Sequence, residues 1–144
     1  MNREILFRGK RADNNKWVYG YLVKSEDYIF DYSERIDIPY IIPFDNFNLK
    51  DYREYRVIPE TIGQYTGLED KNGKKIFDGD KVMYDCEWTK PNEVGVITWN
   101  ESNASFQIKG HIPSSSMKHL SRMKVIGNIF DEKEWLDESN RFIK

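Results

Sequence analysis

The residue types most often used for nucleophilic catalysis and zinc binding are few in this chain. It contains one cysteine, Cys86, and two histidines, His111 and His119. A structural zinc site needs about four ligands, usually with a pair two to four residues apart, and these residues do not meet that pattern. A cysteine and a histidine are also the residues of a Cys-His catalytic pair, but the spacing of these residues does not indicate such a pair. A structural cysteine and surface histidines are the favoured interpretation.

Two acidic turns and one glycine-containing segment are the other candidates for binding ions or phosphate. Residues 70–73 (Asp-Lys-Asn-Gly) resemble the opening of a calcium loop, but no bidentate glutamate follows at the required offset. Asp78 and Asp80 flank a glycine and suit Mg²⁺, although such turn carboxylates more often accept backbone hydrogen bonds. Residues 63–67 lack the lysine and helix of a phosphate-binding loop, and no Gly-x-Ser-x-Gly elbow occurs. We expect no enzymatic activity, no metal and no cofactor.

Aromatic residues beside basic residues form a third pattern, because small β-barrels bind single-stranded nucleic acid by stacking bases on exposed rings in a positive groove. The candidate rings are Trp17, Tyr19, Tyr21, Trp88 and Trp99, and the candidate positive edge is Lys109, Lys118, Arg122 and Lys124. Core packing is the favoured role for most rings, because a chain with so few leucines needs large side chains in its interior. Weak single-strand binding stays open.

Charge is nearly balanced overall but unevenly distributed along the chain. The net charge is −2 and the pI about 5.8, which argues against sequence-independent coating of DNA. Residues 26–56 contain eight carboxylates and four basic groups, whereas residues 109–124 contain four basic residues and no carboxylate. Such bipolarity can steer association with a partner or a second copy, although solvated loop faces are the simpler interpretation.

The length of 144 residues predicts a single domain, with an N-terminal β portion at residues 1–60 and a second portion at residues 61–144. The longest apolar runs fall far short of the ~20 residues of a membrane span, and the N-terminus has no apolar signal segment. With one cysteine and no possible intramolecular disulfide, we expect a cytoplasmic protein without membrane contact.

The most constrained segment is residues 61–84. Asn72-Gly73 predicts a type I′ hairpin turn in which both residues have positive φ, and residues 78–80 (Asp-Gly-Asp) predict a turn before a new strand. Other strands are predicted at residues 4–8, 17–23, 28–30, 36–42, 52–58, 81–87, 93–99, 105–109 and 125–130, with a mobile loop at 110–116 and a helical turn at 117–122. Residues 131–134 predict the start of a short C-terminal helix. The chain is therefore predicted to be all-β, its C-terminal part resembling an SH3-like barrel.

Several of these segments together resemble the YopX family of phage and prophage proteins. The resemblance lies in Pro59-Glu60-Thr61-Ile62-Gly63-Gln64-Tyr65-Thr66-Gly67-Leu68, Asp70-Lys71-Asn72-Gly73-Lys74, Asp78-Gly79-Asp80, Phe7-Arg8-Gly9-Lys10, Trp17-Val18-Tyr19-Gly20-Tyr21 and Val125-Ile126-Gly127-Asn128-Ile129-Phe130. Residues 24–56 and 86–122 match no pattern of the family. The resemblance implies a small, mostly β, phage-derived cytoplasmic protein without an assigned activity, and it supplies no catalytic residues.

Residues 36–42 are predicted to form an exposed edge strand, because Pro39 cannot donate a ladder hydrogen bond. An open edge favours pairing with another chain, so we expect self-association as a symmetric dimer or a higher ring. The alternative is a monomer in which residues 44–52 cover this edge. The predicted contact residues are Tyr40, Ile41, Ile42, Lys109, Lys118, Arg122 and Lys124.

Protein contacts, including contacts with itself, are accordingly the expected mode of action of a non-enzymatic accessory protein of unknown biochemical activity. A weak single-stranded nucleic-acid binder and an enzyme with an unrecognised site are the alternatives. A net acidic chain with a basic loop favours protein contacts, whereas a pocket lined by a perturbed acid and base would favour an enzyme.

Overall fold

The computed structural model describes residues 4–29, 34–44, 53–86, 92–110, 115–116 and 120–131, and most of them lie in β-strands. The strands are β1 (Phe7–Lys10), β2 (Trp17–Ile29), β3 (Glu34–Pro43), β4 (Gly63–Glu69), β5 (Lys75–Phe77), β6 (Asp80–Cys86), β7 (Glu93–Asn100), β8 (Ser105–Gly110), β9 (Ser115–Ser116) and β10 (Leu120–Asn128). A 3-10 helix at Pro59–Thr61 precedes β4. The predicted all-β class is confirmed. In the described ranges no helix is long and apolar enough to cross a membrane.

The strands form two five-stranded sheets, and the chain divides into two compact units, Met1–Tyr65 and Thr66–Lys144. The first sheet has the order β3-β2-β1-β4-β5, and the chain passes from the first unit to the second within β4. The second sheet has the order β10-β6-β7-β8-β9. Its end strands, β9 and β10, do not pair with each other in the described residues, so a closed SH3-like barrel is not confirmed.

Strand β2 is the long central strand of the first unit. It pairs with β1 from Lys10↔Trp17 to Phe7↔Gly20, and on its other side it pairs with β3 over its last ten residues. Residues 28–29 of the strand predicted at 28–30 are therefore the end of β2, because β3 supplies backbone partners through the polar residues that interrupt the apolar pattern; residue 30 lies outside the described residues. Val18, Ile41 and Val57 form the buried core of this unit.

At Gly20 the backbone of β2 lies close to that of β3. A Cβ atom placed on Gly20 would lie 2.0 Å from the carbonyl oxygen of Ile42. The close approach leaves no room for a side chain, which explains why an apolar strand has a glycine at its centre.

The turn between β4 and β5 differs from the predicted type I′ turn. Gly73 has φ +80°, but Asn72 does not have a positive φ. The N–H of Gly73 donates to the carbonyl of Asp70 at 3.0 Å, and the N–H of Asp70 donates to the carbonyl of Lys74 at 2.8 Å. These bonds belong to a wider loop in which only the glycine is left-handed. The Asp70 side chain favours this loop because it accepts the N–H groups of Asn72 and Lys74.

The second unit packs around alternate residues of β6. Its buried cluster consists of Ile76, Val82, Tyr84, Ile97 and Ile108. The predicted turn at residues 78–80 is present: Gly79 has φ +90°, and the buried carboxylate of Asp80 accepts the N–H of Phe77 at 2.8 Å. This is the structural role that the turn motif favours over Mg²⁺ binding.

Several predicted boundaries were displaced. The first strand is Phe7–Lys10 instead of residues 4–8, and of the predicted strand at 52–58 the described residues contribute isolated bridges at Arg56 and Val57. Ser115–Ser116 form β9 within the predicted mobile loop, and residues 120–122 lie in β10 instead of a helical turn. Residues 120–122 form a strand and not a helical turn because β10 pairs with one edge of β6. The C-terminal helix predicted beyond residue 131 lies outside the described residues.

Candidate functional site

The most unusual part of the first unit is the far half of the β2–β3 hairpin, here called the hairpin extension (residues 21–29 and 34–42). Pairing between β1 and β2 ends at Phe7↔Gly20, whereas pairing between β2 and β3 continues to Ile29↔Glu34. In the described part of the chain the extension is therefore only two strands wide. A two-stranded ribbon is at best marginally stable alone in water, so this segment depends on the burial of β3 side chains such as Ile38 and Ile41, and a further strand partner would add to its stability.

The outer edge of β3 is partly covered. The N–H of Val57 donates to the carbonyl of Pro39 at 3.2 Å, and Tyr40 forms an isolated bridge with Arg56. No described strand pairs with the edge from Glu34 to Ile38. Among the described residues, the stretch from Glu34 to Ile38 therefore has no neighbouring strand on this side, although Asp37 makes contacts of its own; it is here called the open edge.

The backbone direction of the open edge follows from Pro39. Its carbonyl points away from β2 because it accepts a bond from Val57, and backbone groups in a strand alternate in direction with period two. The register between β2 and β3 has no shift over this stretch. The N–H and C=O of Asp37 therefore also point away from β2, and the Asp37 side chain is exposed.

Three of the predicted contact residues lie on β3, but their side chains are mostly not on the surface. Ile41 is completely buried in the first-unit core, Tyr40 is 7% exposed and Ile42 is half-buried. The apolar residues 40–42, which led to the prediction of a contact edge, are largely buried in the protein. Contact of Tyr40, Ile41 and Ile42 with a partner stays a prediction, and the backbone of the open edge is the part of β3 that is directed away from β2.

An exposed aromatic stripe runs along β2. Tyr19, Tyr21 and Val23, which alternate on one face, are 42–49% exposed. The Tyr21 ring meets the Phe44 ring edge-to-face at 4.5 Å, and both rings line a cavity of about 530 Å³ together with Glu4 and Ile5. Two of the predicted stacking rings are thus on the surface and not in the core.

Cationic side chains lie beside this stripe. Trp17 lies 4.7 Å from the Arg8 guanidinium and 5.5 Å from the Lys10 ammonium group, which are cation-π distances. Lys10 pairs with Trp17, and Arg8 pairs with Tyr19, across the β1–β2 ladder. The first unit therefore combines rings and positive charge on one face of a sheet.

The predicted positive edge is divided. Lys109 is exposed on β8, whereas Arg122 and Lys124 lie together on β10 beside a cavity of about 180 Å³. Lys118 lies outside the described residues, as do Trp88 and both histidines. Trp99 is 46% exposed on β7 and meets Phe106 edge-to-face at 5.0 Å. Sequence reasoning missed Lys71 and Asn92, which line the same cavity; their only signal is local turn chemistry.

Two of the acidic residues considered for ion binding, Asp70 and Asp80, have structural roles. Asp70 is buried, and its two carboxylate oxygens accept backbone N–H groups of Asn72, Lys74 and Val125 at 2.8–2.9 Å. Burial raises the pKa of the Asp70 carboxyl group, but these hydrogen bonds and the Lys74 charge outweigh it and lower the pKa below its ordinary value. No group of three or more His, Cys, Asp or Glu residues in the described ranges is placed to hold a metal ion.

Comparison with known proteins identifies the family. No curated protein matches the chain. The solved structure of protein EF1440 from Enterococcus faecalis is similar, with a TM-score of 0.51 and 21% sequence identity over 94% of this chain and 99% of that one. This similarity concerns the fold alone. The profile of the YopX family matches residues 6–137, nearly the whole chain, so this protein belongs to the YopX family.

Proposed function

We propose that this YopX protein is a phage-type accessory protein that acts in the bacterial cytoplasm by pairing with a second copy of itself, and that it is not an enzyme. The observation that carries the proposal is the two-stranded hairpin extension with its open β3 edge. Membership of the YopX family supports the phage-type origin. The single cysteine favours a reducing compartment.

A second copy is the natural partner for this edge because the same segment is available on both molecules. Antiparallel pairing of two β3 edges around a two-fold axis is isologous and closed, so it removes both open edges at once. With the axis at Ile36, Asp37 of each copy faces position 35 of the other, which is an arginine. Facing opposite charges favour this register, and about four backbone hydrogen bonds link the two edges.

Proline at position 37 tests this interface. Asp37→Pro removes the N–H that points to the open edge, and it leaves the hydrogen bonds between β2 and β3 intact because Asp37 points away from β2. We expect this variant to remain a single chain by light scattering at concentrations where the natural protein associates. Asp37→Ala, the matched control, keeps the N–H and should still associate, more weakly.

Circular dichroism must show that both Asp37 variants remain folded. If folded Asp37→Pro associates as strongly as the natural protein, β3 is not the contact edge. Association should also weaken at high salt, because the pairing of Asp37 with position 35 is screened there.

Binding of single-stranded nucleic acid is a second candidate, favoured by the exposed Tyr19 and Tyr21 rings beside the Arg8–Trp17–Lys10 stack. Stacking of bases on such rings contributes about 1–3 kcal/mol per base. Replacing both tyrosines with alanine should therefore weaken binding of a labelled oligothymidylate at least about tenfold. Affinity should also fall about tenfold or more between about 50 and 200 mM salt. Absence of binding by fluorescence anisotropy at low salt removes this candidate.

A further inference from the structure

The second unit contains a small cationic cavity on the outer face of strands β6 and β10, here called the β6–β10 cavity. Its volume is about 180 Å³. Its lining residues are Lys71, Met83, Tyr84, Asp85, Asn92, Arg122 and Lys124. Met83 and Asp85 alternate with the core residues of β6, and Lys124 pairs with Met83 across the ladder. The cavity therefore lies on the face of the sheet opposite the core.

The backbone is unusual at two of the lining residues. Arg122 has φ +54° and Asn92 has φ +61°, so both occupy the left-handed region. Asparagine tolerates this region, but an arginine there is uncommon and its backbone is strained. Arg122 lies in a bulge, where β10 places Arg122 and Met123 against Tyr84 alone. A bulge of this kind re-aims a side chain, and here it aims an arginine at the cavity.

Hydrogen bonds fix the backbone at the residues that carry the cationic groups around the cavity. The N–H of Lys71 donates to the carbonyl of Met123 at 2.9 Å, which anchors the β4–β5 turn against the bulge. Asp70, one residue earlier, accepts the N–H of Val125 and so fixes the same turn against β10. The positions of Lys71, Arg122 and Lys124 are therefore set by backbone contacts.

Positive charge is in excess in the β6–β10 cavity. Three cationic side chains face one carboxylate, that of Asp85, which lies 3.8 Å from Arg122 and accepts the N–H of Asn92 at 3.1 Å. The ammonium groups of Lys71 and Lys124 have no hydrogen bond or ion pair within the described part of the chain. The Arg122 side chain is 75% exposed. An anion entering the cavity thus meets uncompensated charge at short range.

We propose that the β6–β10 cavity binds a phosphate group through Lys71, Arg122 and Lys124. A tetrahedral phosphate has enough oxygens for three cationic donors, and the planar guanidinium of arginine suits phosphate oxygens. The volume of about 180 Å³ holds one phosphate with a small substituent and not a large apolar ligand. The phosphate can belong to a small phosphomonoester or to the backbone of an oligonucleotide, which share this chemistry.

Titration with inorganic phosphate, followed by amide chemical shifts in NMR spectra, tests the site directly. We expect saturable shifts at Lys71, Asn92 and Arg122, with a Kd on the order of 1 mM. Adenosine monophosphate and a short oligothymidylate then distinguish the two sources: tighter binding of the oligonucleotide identifies a phosphodiester, and tighter binding of the nucleotide a phosphomonoester. Shifts that do not saturate, or that lie elsewhere, overturn the proposal.

Variants separate a binding role from a structural one. Arg122→Gly relieves the left-handed strain and should leave the melting temperature nearly unchanged while weakening phosphate binding about tenfold. Lys124→Gln should weaken binding similarly. Lys109→Gln is the matched control, because Lys109 is an exposed cation of the same unit that does not line the cavity. Equal effects of all three, or no effect of Arg122→Gly, would show that only general charge attracts the anion.

Discussion

Replacing Asp70 with alanine is expected to lower the free energy of unfolding by about 3 kcal/mol, because it leaves three backbone donors without their acceptor. The carboxylate accepts N–H groups of Asn72 and Lys74 on one oxygen and of Val125 on the other, and it is buried. One side chain thus connects the β4–β5 turn to β10. Urea denaturation measures this loss of unfolding free energy. The dependence of the free energy on urea concentration must be the same for the natural protein and the variant.

Two further variants calibrate the Asp70 result. Asp70→Asn keeps one amide oxygen and should lose less stability than the alanine variant. Asp13→Ala removes an aspartate in an exposed ion pair with Arg11 and should cost at most about 1 kcal/mol. If Asp70→Ala costs no more than Asp13→Ala, the carboxylate does not stabilise the turn.

The charge of Asp70 also predicts a pH dependence. The pKa of this carboxyl group is lowered in the folded protein, so the unfolded chain binds the proton more readily. Its contribution to stability is therefore complete above the unfolded pKa of about 3.9 and is lost as the pH falls through the lower folded value. The stability difference between the natural protein and Asp70→Asn should shrink across that acidic range. A difference that stays constant there would contradict the assignment.

Gly20→Ala is expected to lower the free energy of unfolding by about 3 kcal/mol or more. The added methyl carbon would lie only 2.0 Å from the carbonyl oxygen of Ile42, far inside van der Waals contact. The carbonyl oxygen is a backbone atom and the position of the Cβ atom is set by the backbone, so no side-chain rotation can relieve the clash. Strands β2 and β3 must separate at the start of the hairpin extension. We therefore expect loss of the β3 contact edge as well as loss of stability.

Gly73→Ala provides the matched control for Gly20. Gly73 has φ +80°, and no atom lies within 4 Å of the place that an added methyl carbon would take, so only backbone strain of about 1 kcal/mol applies. Thermal unfolding and light scattering on both variants separate the two effects. If Gly20→Ala were no more destabilising than Gly73→Ala, the close approach of β2 and β3 would not constrain this position.

Local chemistry in the sequence predicted much of the fold. The apolar run at residues 17–23, the Asp-Gly-Asp turn and the alternation at Val82 and Tyr84 each identify their strand or turn because the cause lies within a few residues. The type I′ turn predicted at Asn72-Gly73 was wrong, because the Asp70 side chain and the glycine at position 73 together favour a wider loop. In this loop the Asp70 carboxylate and backbone carbonyl groups compete for the same N–H donors. Residue preferences for turn types do not predict which acceptor is used.

The candidate sites were less predictable because they depend on long-range pairing. Pro39 correctly indicated an edge strand, but the sequence does not reveal that Ile41 points into a core formed with Val18 and Val57. An Ile41→Lys variant would therefore disrupt the core and could not test the edge. Lys71 lines the same cavity as Arg122 only because the N–H of Lys71 donates to the carbonyl of Met123, a residue more than fifty positions away in the chain.

Measurement of the mass of the natural protein by light scattering coupled to size exclusion, over a wide range of concentrations, tests self-association most directly. Pairing through the β3 edge predicts a mass that rises from one chain of 17.2 kDa at low concentration toward two chains at high concentration, and falls again when salt is added. A mass that stays at one chain at every concentration would contradict the proposed function.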